Sequence, residues 1–312
     1  MNSILIFAVV SLSAIGLISA VVLYFIAQKF KVIEDPRIGL VEESLPAANC
    51  GGCGFAGCHN FAEALVRKAE DEKTIEGLNC PVGGGDVMNK VAAILGLEAP
   101  VTEPMIAVIR CNGSFKNAPS KVAYDGPATC AFAHNLFAGT SGCAFGCLGL
   151  GDCVAACIFD AIHMDPETGL PVVNDKCTAC GACVKACPRN IIELRYKGKK
   201  DRRIFVSCVN KEKGGPARKN CVVACIGCGK CVEACAYDAI IMENNLAYID
   251  FEKCKLCRKC VTVCPTDAIH EINFPPRKEK ESEPAPAKSG EIKAEPATMQ
   301  KSDNAGDNPA SN

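Results

Sequence analysis

The chain begins with an uninterrupted apolar segment, residues 4–27, that contains no charged side chain. A helix of this length spans roughly 36 Å, which crosses the ~30 Å hydrocarbon layer of a membrane with some tilt. The alternative is a cleaved signal peptide, but residues 1–3 carry no Lys or Arg, and the apolar stretch exceeds the usual ~7–15 residues of a signal-peptide core. The pattern therefore predicts a single transmembrane anchor in contact with membrane lipid.

Charges beside this segment predict its orientation. Lys29 and Lys31 follow the span, and Tyr24 lies near its end. Positive side chains favour the cytoplasmic end of a span, so we expect a single-pass protein of the cell (inner) membrane with the bulk of the chain on the cytoplasmic side. No Asp, Glu, Lys, Arg or His lies within the span. Any ion movement across the membrane therefore requires other subunits.

Beyond the anchor, the apolar positions alternate between helical and extended patterns. Their spacing predicts helices over residues 61–69 and 86–97. Short apolar runs lead into Cys111 (MIAVIRCNG) and Cys208 (RIFVSCVNK), and both predict buried strands. Residues 100–104 are predicted to be a linker. Residues 275–312 are rich in Pro, Lys and Glu, which predicts a disordered tail.

Two segments between the linker and the tail repeat one another. Residues 105–187 and residues 205–264 each contain ten cysteines. The phrase after the fourth cysteine of each quartet also recurs, as FDAIHM, RNIIEL, YDAIIM and TDAIHE. Self-similarity on this scale indicates two copies of one module.

The cysteine content decides which chemistry the modules serve. The chain of 312 residues contains 24 cysteines and has a formal net charge of −1. A cytoplasmic location keeps thiols reduced, so these cysteines are predicted to be cluster or metal ligands rather than disulfides. Residues 32–98 contain 11 acidic and 5 basic side chains, and residues 195–219 contain 2 acidic and 10 basic ones. One face is therefore expected to be acidic and another basic.

The spacing of the cysteines identifies the cofactor. Residues 177–188 and 254–265 follow C-x2-C-x2-C-x3-C-P, the spacing of bacterial ferredoxins, in which the fourth cysteine ligates the neighbouring 4Fe–4S cluster. Residues 225–235 share it with Ala236 in place of proline, and residues 143–157 follow a looser C-x3-C-x5-C-x3-C. Crosswise pairing predicts four clusters, with the ligand sets Cys143, Cys147, Cys153 and Cys187; Cys157, Cys177, Cys180 and Cys183; Cys225, Cys228, Cys231 and Cys264; and Cys235, Cys254, Cys257 and Cys260.

A further quartet lies near the anchor and is predicted to hold a fifth 4Fe–4S cluster. It consists of Cys50, Cys53, Cys58 and Cys80, with the spacing C-x2-C-x4-C-x21-C. Zinc is the alternative wherever C-x2-C pairs occur, and it is a more serious rival here than in the modules. Haem c is excluded, because no C-x2-C pair in the chain is followed by His.

Four cysteines remain, and they occupy equivalent places in the two modules: Cys111, Cys130, Cys208 and Cys221. We hypothesise that they hold a sixth 4Fe–4S cluster across the module interface. The alternatives are paired structural thiols, or spare ligands that exchange with Cys143 or Cys225. An iron content of ~24 atoms per chain would support six clusters, and ~20 would indicate five.

No catalytic residue is predicted, because outer-sphere electron transfer needs no acid–base group. The chain contains no G-x-G-x-x-G after a strand and no Walker loop, so no nucleotide or flavin site of its own is expected. The chain is therefore predicted to take electrons from one partner and pass them to another. A redox-sensing regulator is the alternative from a different class, but no DNA-binding helix pair is evident, and no nucleic-acid partner is expected.

These patterns together predict an α+β fold: a single N-terminal transmembrane helix, a small helical 4Fe–4S domain and tandem ferredoxin-like dicluster modules. The expected boundaries are 1–31 for the anchor, 32–99 for the 4Fe–4S domain, 105–194 and 203–273 for the modules, and 275–312 for the tail.

The N-terminal helix, the motifs NCGGCGFAGC (49–58), NCP (79–81) and GCLGLGDC (146–153), and the tandem modules resemble the B subunit of the Rnf complex in its long, multi-cluster form. The resemblance covers residues 1–276. It implies an electron-transfer subunit of a translocase, the ion-transporting ferredoxin:NAD oxidoreductase, with soluble ferredoxin as donor, other Rnf subunits as partners and Na⁺ or H⁺ as the transported ion. A polyferredoxin subunit of another membrane enzyme, such as a hydrogenase, is the alternative.

The basic stretch at residues 195–219 is hypothesised to dock an acidic ferredoxin. A solvated loop or a contact with anionic lipid is the alternative. Ferredoxin oxidation at rising salt, with Lys199, Lys200, Arg202 and Arg203 neutralised, would distinguish these interpretations.

Overall fold

The computed structural model describes residues 2–29, 35–101 and 103–276. Its first helix, α1, comprises Asn2–Lys29. Within it, Ile6–Lys29 is long and apolar enough to cross a membrane. The large side chains of this segment, such as Phe7 and Leu17, are exposed. Lys31 and the predicted tail from residue 277 onward lie outside the described residues.

Three helices form a small unit after the anchor: α2 (Pro36–Ser44), α3 (Cys58–Asp71) and α4 (Gly84–Leu95). Helix α2 starts where the Asp35 side chain accepts a hydrogen bond from the Arg37 amide and proline occupies the first turn. Apolar side chains three and four positions apart bury one face of each helix, among them Phe61, Leu65 and Val91. The two helices predicted from apolar spacing are confirmed, with ends shifted by two or three residues.

The first module contains two antiparallel strand pairs and three short helices. Strand β1 (Met105–Ile109) pairs with β4 (Ile192–Tyr196), so the first and last strands of the module lie together. Strands β2 (Ile162–Met164) and β3 (Pro171–Val173) form a hairpin between them. The helices are α5 (Cys130–His134), α6 (Asp152–Ala155) and α7 (Ala182–Ala186).

The second module repeats this plan. Strand β5 (Arg203–Val206) pairs with β8 (Ile269–Ile272), and β6 (Ile240–Glu243) pairs with β7 (Leu246–Ile249), both antiparallel. Its helices are α8 (Gly214–Asn220), α9 (Lys230–Glu233) and α10 (Lys259–Val263), and a 3₁₀ turn (Lys199–Asp201) precedes β5. The predicted strands before Cys111 and Cys208 are confirmed as β1 and β5. The fold is therefore the α+β class predicted from sequence.

The recurring phrase after each fourth cysteine has a backbone explanation. Its Asp or Asn adopts a left-handed conformation in all four copies, with φ of 51° at Asp160, 51° at Asn190, 48° at Asp238 and 52° at Asp267. Asp and Asn tolerate this region better than other side chains with a Cβ. The chain therefore turns at the same point four times and then enters or approaches a strand.

The two modules contact each other through backbone and aromatic groups. The amide of Asn112 donates to the carbonyl oxygen of Ser207 at 3.1 Å, which joins the ends of β1 and β5. Arg195 of β4 is 1% exposed, and its Nη1 donates to the carbonyl oxygen of Ile204 at 3.3 Å. The same guanidinium lies 5.4–5.7 Å from the ring centroids of Phe205, Tyr248 and Phe251.

Candidate cluster sites

Three tight cysteine loops have one shared backbone shape. In each, two residues of the loop are left-handed: Ala179 and Gly181, Gly227 and Gly229, Leu256 and Arg258. A short helix then begins and carries the third cysteine, and the fourth cysteine follows the helix end. This shape lets three sulfurs face one cavity while the fourth faces another.

Three of the cysteine sets predicted by crosswise pairing come together in the structure. One cavity is lined by Cys157, Cys177, Cys180 and Cys183, and another by Cys225, Cys228, Cys231 and Cys264. In the third set, burial raises the pKa of the Cys260 thiol to about 12, with contributions from the neighbouring thiols of Cys254, Cys257 and Cys235. The sulfurs of each set therefore lie close enough to affect one another's ionisation.

The other set predicted within the first module, Cys143, Cys147, Cys153 and Cys187, differs from the expectation. The cavity there is lined by Cys130, Cys147, Cys153 and Cys187, so Cys130 stands where Cys143 was expected. Burial, with the nearby thiols of Cys130 and Cys187, raises the pKa of Cys153 to about 11.

Asp152 explains the position of Cys130. Its carboxylate accepts hydrogen bonds from the amides of Cys130 (2.8 Å) and Ala131 (3.0 Å), which open helix α5. Because Asp152 immediately precedes Cys153, this contact between distant segments brings the two cysteines to one cavity. Charge-assisted bonds to free amides at a helix start are among the stronger hydrogen bonds in proteins.

Cys143 lies instead at the module interface. A second cavity is lined by Cys111 and Cys143 of the first module and by Cys208 and Cys221 of the second. Cys147 lines this cavity as well as the one that contains Cys130, Cys153 and Cys187. The side-chain amide of Asn210, from the second module, lies 3.6 Å from the Cys143 sulfur. A Cβ on Gly146 would lie 3.4 Å from the Cys143 sulfur and 3.9 Å from the Cys111 sulfur, which shows how closely the backbone surrounds this set. The structure thus exchanges Cys130 and Cys143 between the two sets expected from sequence.

The quartet near the anchor is held by the loop before α3 and the turn before α4. Burial raises the pKa of the Cys80 thiol, and the neighbouring thiols of Cys53 and Cys50 contribute. The Gly83 amide donates to the Cys80 sulfur at 3.3 Å. The Asn49 side chain accepts from the Cys58 amide at 2.8 Å, which fixes the start of α3.

This quartet contacts the first module through Gly52. A Cβ on Gly52 would lie 2.8 Å from the carbonyl oxygen of Cys180 and 3.0 Å from its Cα, with the Pro81 ring also at 3.0 Å. Only glycine leaves room for such a close backbone approach. Two cysteine loops of different units therefore touch directly.

The residues around these cavities fit 4Fe–4S clusters. Cysteine sulfur is the shared donor of every set, as iron–sulfur clusters require. Two buried donor groups that line cysteine cavities, Thr178 Oγ1 and Arg189 Nε, have no partner among the described residues. Buried polar groups are rarely left unpaired, and hydrogen bonds to cluster sulfur are a common way to satisfy them.

Contacts between the sets place them in one order. We number them group 1 (Cys50, Cys53, Cys58, Cys80), group 2 (Cys157, Cys177, Cys180, Cys183), group 3 (Cys130, Cys147, Cys153, Cys187), group 4 (Cys111, Cys143, Cys208, Cys221), group 5 (Cys225, Cys228, Cys231, Cys264) and group 6 (Cys235, Cys254, Cys257, Cys260).

Each group contacts the next. Gly52 beside Cys180 links groups 1 and 2. Helix α6, which carries Cys153 of group 3, packs against helix α7, which carries Cys183 of group 2. The Cys147 amide donates to the Cys111 sulfur at 3.4 Å, which links groups 3 and 4. The backbone amide of Cys225 donates a hydrogen bond to the Cys208 sulfur, which links groups 4 and 5. Helix α9, which carries Cys231 of group 5, packs against helix α10, which carries Cys260 of group 6. These last two contacts extend the series to groups 5 and 6. We call the series of groups 1–6, in this order, the file.

Replacing Asp152 with alanine is expected to loosen helix α5 and the Cys130 sulfur. Two charge-assisted hydrogen bonds are lost, which costs about 1.5–3 kcal/mol each. The Asp152→Ala protein should therefore lose the iron of group 3 more readily during anaerobic gel filtration than the unaltered protein. Asp175→Ala, which changes the charge equally, provides the control. Equal iron retention by both variants would contradict this role of Asp152.

Comparison with family models identifies the same segments. Residues 144–194, 176–240 and 224–268 match models described as 4Fe–4S dicluster domains. Residues 45–73, which include Cys50, Cys53 and Cys58, match a model described as a putative Fe–S cluster. The cofactors are therefore multiple 4Fe–4S clusters, as the cysteine spacing predicted.

Several curated proteins resemble the chain over most of its length. The B subunit of a Na⁺-translocating ferredoxin:NAD⁺ oxidoreductase complex from Acetobacterium woodii is 44% identical over 245 residues, 78% of this chain and 71% of that protein. The B subunit of a proton-translocating ferredoxin:NAD⁺ oxidoreductase complex from Clostridium ljungdahlii is 42% identical over 255 residues, 81% of this chain and 87% of that one. The B subunit of an ion-translocating oxidoreductase complex from Methanosarcina acetivorans is 40% identical over 254 residues, 81% and 93% of the two chains.

Proposed function

Because the chain belongs to the B-subunit family of the Rnf ion-translocating ferredoxin:NAD⁺ oxidoreductases, we propose that it accepts electrons from soluble ferredoxin and relays them to other subunits of that complex. It is an iron–sulfur electron-transfer subunit. We propose further that it has no nucleotide or flavin site, so that NAD reduction and Na⁺ or H⁺ transport take place in other subunits.

The observation that carries this proposal is the continuous file of six cysteine groups. Bound clusters supply one-electron carriage, and their potentials depend on ligation, hydrogen bonds to sulfur and burial. We propose that groups 1–6 each hold one 4Fe–4S cluster, with group 4 as the sixth. The file has two ends: group 1 in the unit that follows the anchor, and group 6 in the second module. A file with two ends suits a protein that receives electrons at one and delivers them at the other.

We propose that ferredoxin docks at group 6. Cys257 of this group is one of only two exposed cysteines among the described residues. The exposed side chains of Lys253, Lys255 and Lys259 surround it in sequence. A Cβ on Gly198 would lie 3.7 Å from Leu256, so the turn that carries the exposed residues Lys199 and Lys200 packs against the same loop. These five lysines form what we call the terminal basic surface.

Two arginines of the basic stretch do not suit docking. Arg203 is 8% exposed, and its Nη1 pairs with Asp201 at 3.0 Å. The guanidinium of Arg202 lies 5.4 Å from the Phe274 ring centroid, and its Nε is buried. Both side chains support the fold, so the docking hypothesis is restricted to the lysines of the terminal basic surface.

Neutralising Lys199, Lys200, Lys255 and Lys259 with glutamine is expected to slow electron delivery from reduced ferredoxin. Electrostatic steering raises association rates by about 10–10³-fold, so the second-order rate at low salt should fall at least ~10-fold and depend less on ionic strength. Stopped-flow bleaching of the cluster absorbance measures this rate. The control is the quadruple glutamine variant of the exposed residues Lys211, Lys213, Arg218 and Lys219, which should stay close to the unaltered protein. An unchanged rate for the first variant would reject the docking site, and no reduction of the unaltered protein by ferredoxin would reject the proposed function.

We also propose that α1 is a single-pass anchor with the cluster-bearing chain on the cytoplasmic side. The support is the apolar length of Ile6–Lys29 and the basic residue at its C-terminal end. Protease added to inverted vesicles, but not to right-side-out ones, should then remove the modules.

A further inference from the structure

A buried arginine, Arg189, lies between groups 3 and 4. It is 9% exposed and follows the fourth cysteine of its quartet, in the order Cys187-Pro188-Arg189. The equivalent positions of the other quartets are Phe159, Tyr237 and Thr266. A cation at this position therefore occurs only once in the repeat.

The hydrogen bonds of Arg189 hold the segment that leads into group 4. Its Nη1 donates to the carbonyl oxygens of Cys143 (3.0 Å) and Gly146 (2.7 Å). Its Nη2 donates to those of Phe137 (3.2 Å) and Ala138 (3.0 Å). The same side chain lines the group 3 cavity, and its Nε–H has no partner among the described residues. Arg189 thus contacts the surroundings of both groups and retains one buried donor without a partner among the described residues.

The charge of Arg189 has no carboxylate partner. Among the described residues, no ion pair involves this guanidinium. Burial lowers its pKa, and the neighbouring thiols of Cys143, Cys147, Cys111 and Cys130 act in the opposite direction. Arginine remains protonated even so. A buried, unpaired charge is costly unless other groups compensate it, and the anionic sulfur ligands of groups 3 and 4 are the candidates here.

We propose that Arg189 is a positioning residue that raises the reduction potentials of groups 3 and 4, where electrons cross from one module to the other. This inference rests on the proposed function. A fixed positive charge in a low-dielectric site stabilises the added electron. Group 3 of the first module and group 4 at the module boundary would thereby respond to the same positive charge.

The test is a redox titration followed by electron paramagnetic resonance on the complete, cluster-loaded protein. Arg189→Gln and Arg189→Met remove the charge, whereas Arg189→Lys keeps it. We expect the neutral variants to retain the iron of the unaltered protein and to shift no more than two of the cluster potentials, both to more negative values. Arg189→Lys should shift them less. Arg67→Met makes the same charge change at a side chain that is 69% exposed, and it should leave all potentials in place because solvent screens it.

Two results would overturn the proposal. Unchanged potentials in both neutral variants at full iron content would show that the charge is irrelevant. Loss of iron from Arg189→Gln, which keeps amide donors for the carbonyls, would show that Arg189 only holds the loop. Failure of the proposed function is distinguishable from either, because it would show as missing clusters or an absent response to ferredoxin in the unaltered protein.

Discussion

Replacing the four cysteines of group 4 with alanine should leave about 20 iron atoms per chain, against about 24 in the unaltered protein. The reason is that groups 1, 2, 3, 5 and 6 would each keep four sulfur ligands. The reciprocal variant, with Cys111, Cys130, Cys208 and Cys221 replaced, should leave about 16, because it breaks groups 3 and 4 together. Iron and sulfide analysis of anaerobically purified protein measures both.

This pair of variants separates the two ways of grouping the same cysteines. If Cys130 belonged with Cys111, Cys208 and Cys221, as expected from sequence alone, the two iron contents would be reversed. The group 4 variant has a second expected property. Electrons supplied at group 6 should no longer reach groups 1–3, because group 4 is the link between the modules in the file. Full reduction of groups 1–3 by ferredoxin in that variant would contradict the order of the file.

Replacing Gly52 with leucine should interrupt electron transfer between groups 1 and 2 without removing a cysteine ligand. The new side chain would collide with the backbone of Cys180 and the ring of Pro81. Overpacking of this kind costs about 1–3 kcal/mol. The population in which the Gly52 loop contacts the Cys180 loop should therefore fall about 5–150-fold. The expected result is slow reduction of group 1 and loss of magnetic coupling between groups 1 and 2, with the iron content unchanged.

Gly85→Leu is the matched control for this variant. Gly85 lies in the same unit, and a Cβ there meets no atom within 4 Å. Neither glycine has a positive φ, so the two changes differ in the space available rather than in backbone strain. If both variants transferred electrons equally, the contact between Gly52 and Cys180 would not be the junction.

Much of the fold could be predicted because its causes are local. The helices around Phe61 and Val91 follow from apolar spacing, and β1 and β5 follow from short apolar runs before Cys111 and Cys208. The structure also brings together the cysteines predicted for groups 2, 5 and 6, because most of them lie in tight loops of fixed spacing. The backbone shape of those loops, with paired left-handed residues, is almost determined by the spacing itself.

Groups 3 and 4 could not be predicted because their membership depends on contacts between distant segments. The order of cysteines along the chain makes Cys143 the counterpart of Cys225, the first cysteine of its set. In the structure, the earlier residue Cys130 lies at that position instead. The cause is the Asp152 carboxylate, which draws the start of α5 toward Cys153. Asp152 is visible in the sequence as part of GCLGLGDC, but nothing local indicates which helix start it caps. The sequence also does not predict the contact of Gly52 with Cys180, because these residues are far apart along the chain.

Group 4 takes two sulfurs from each module, and this has a consequence for maturation and damage. Under the proposed ligation, a single 4Fe–4S cluster is bound by cysteines of both modules. It can therefore be inserted only after both modules have been synthesised and folded. The sulfur sites also differ in their vulnerability to oxygen, since Cys257 is exposed whereas Cys143 and Cys208 are each 8% exposed. Oxidants are therefore expected to attack group 6, at Cys257, before group 4, so the cluster that joins the two modules should be lost later than the cluster of group 6.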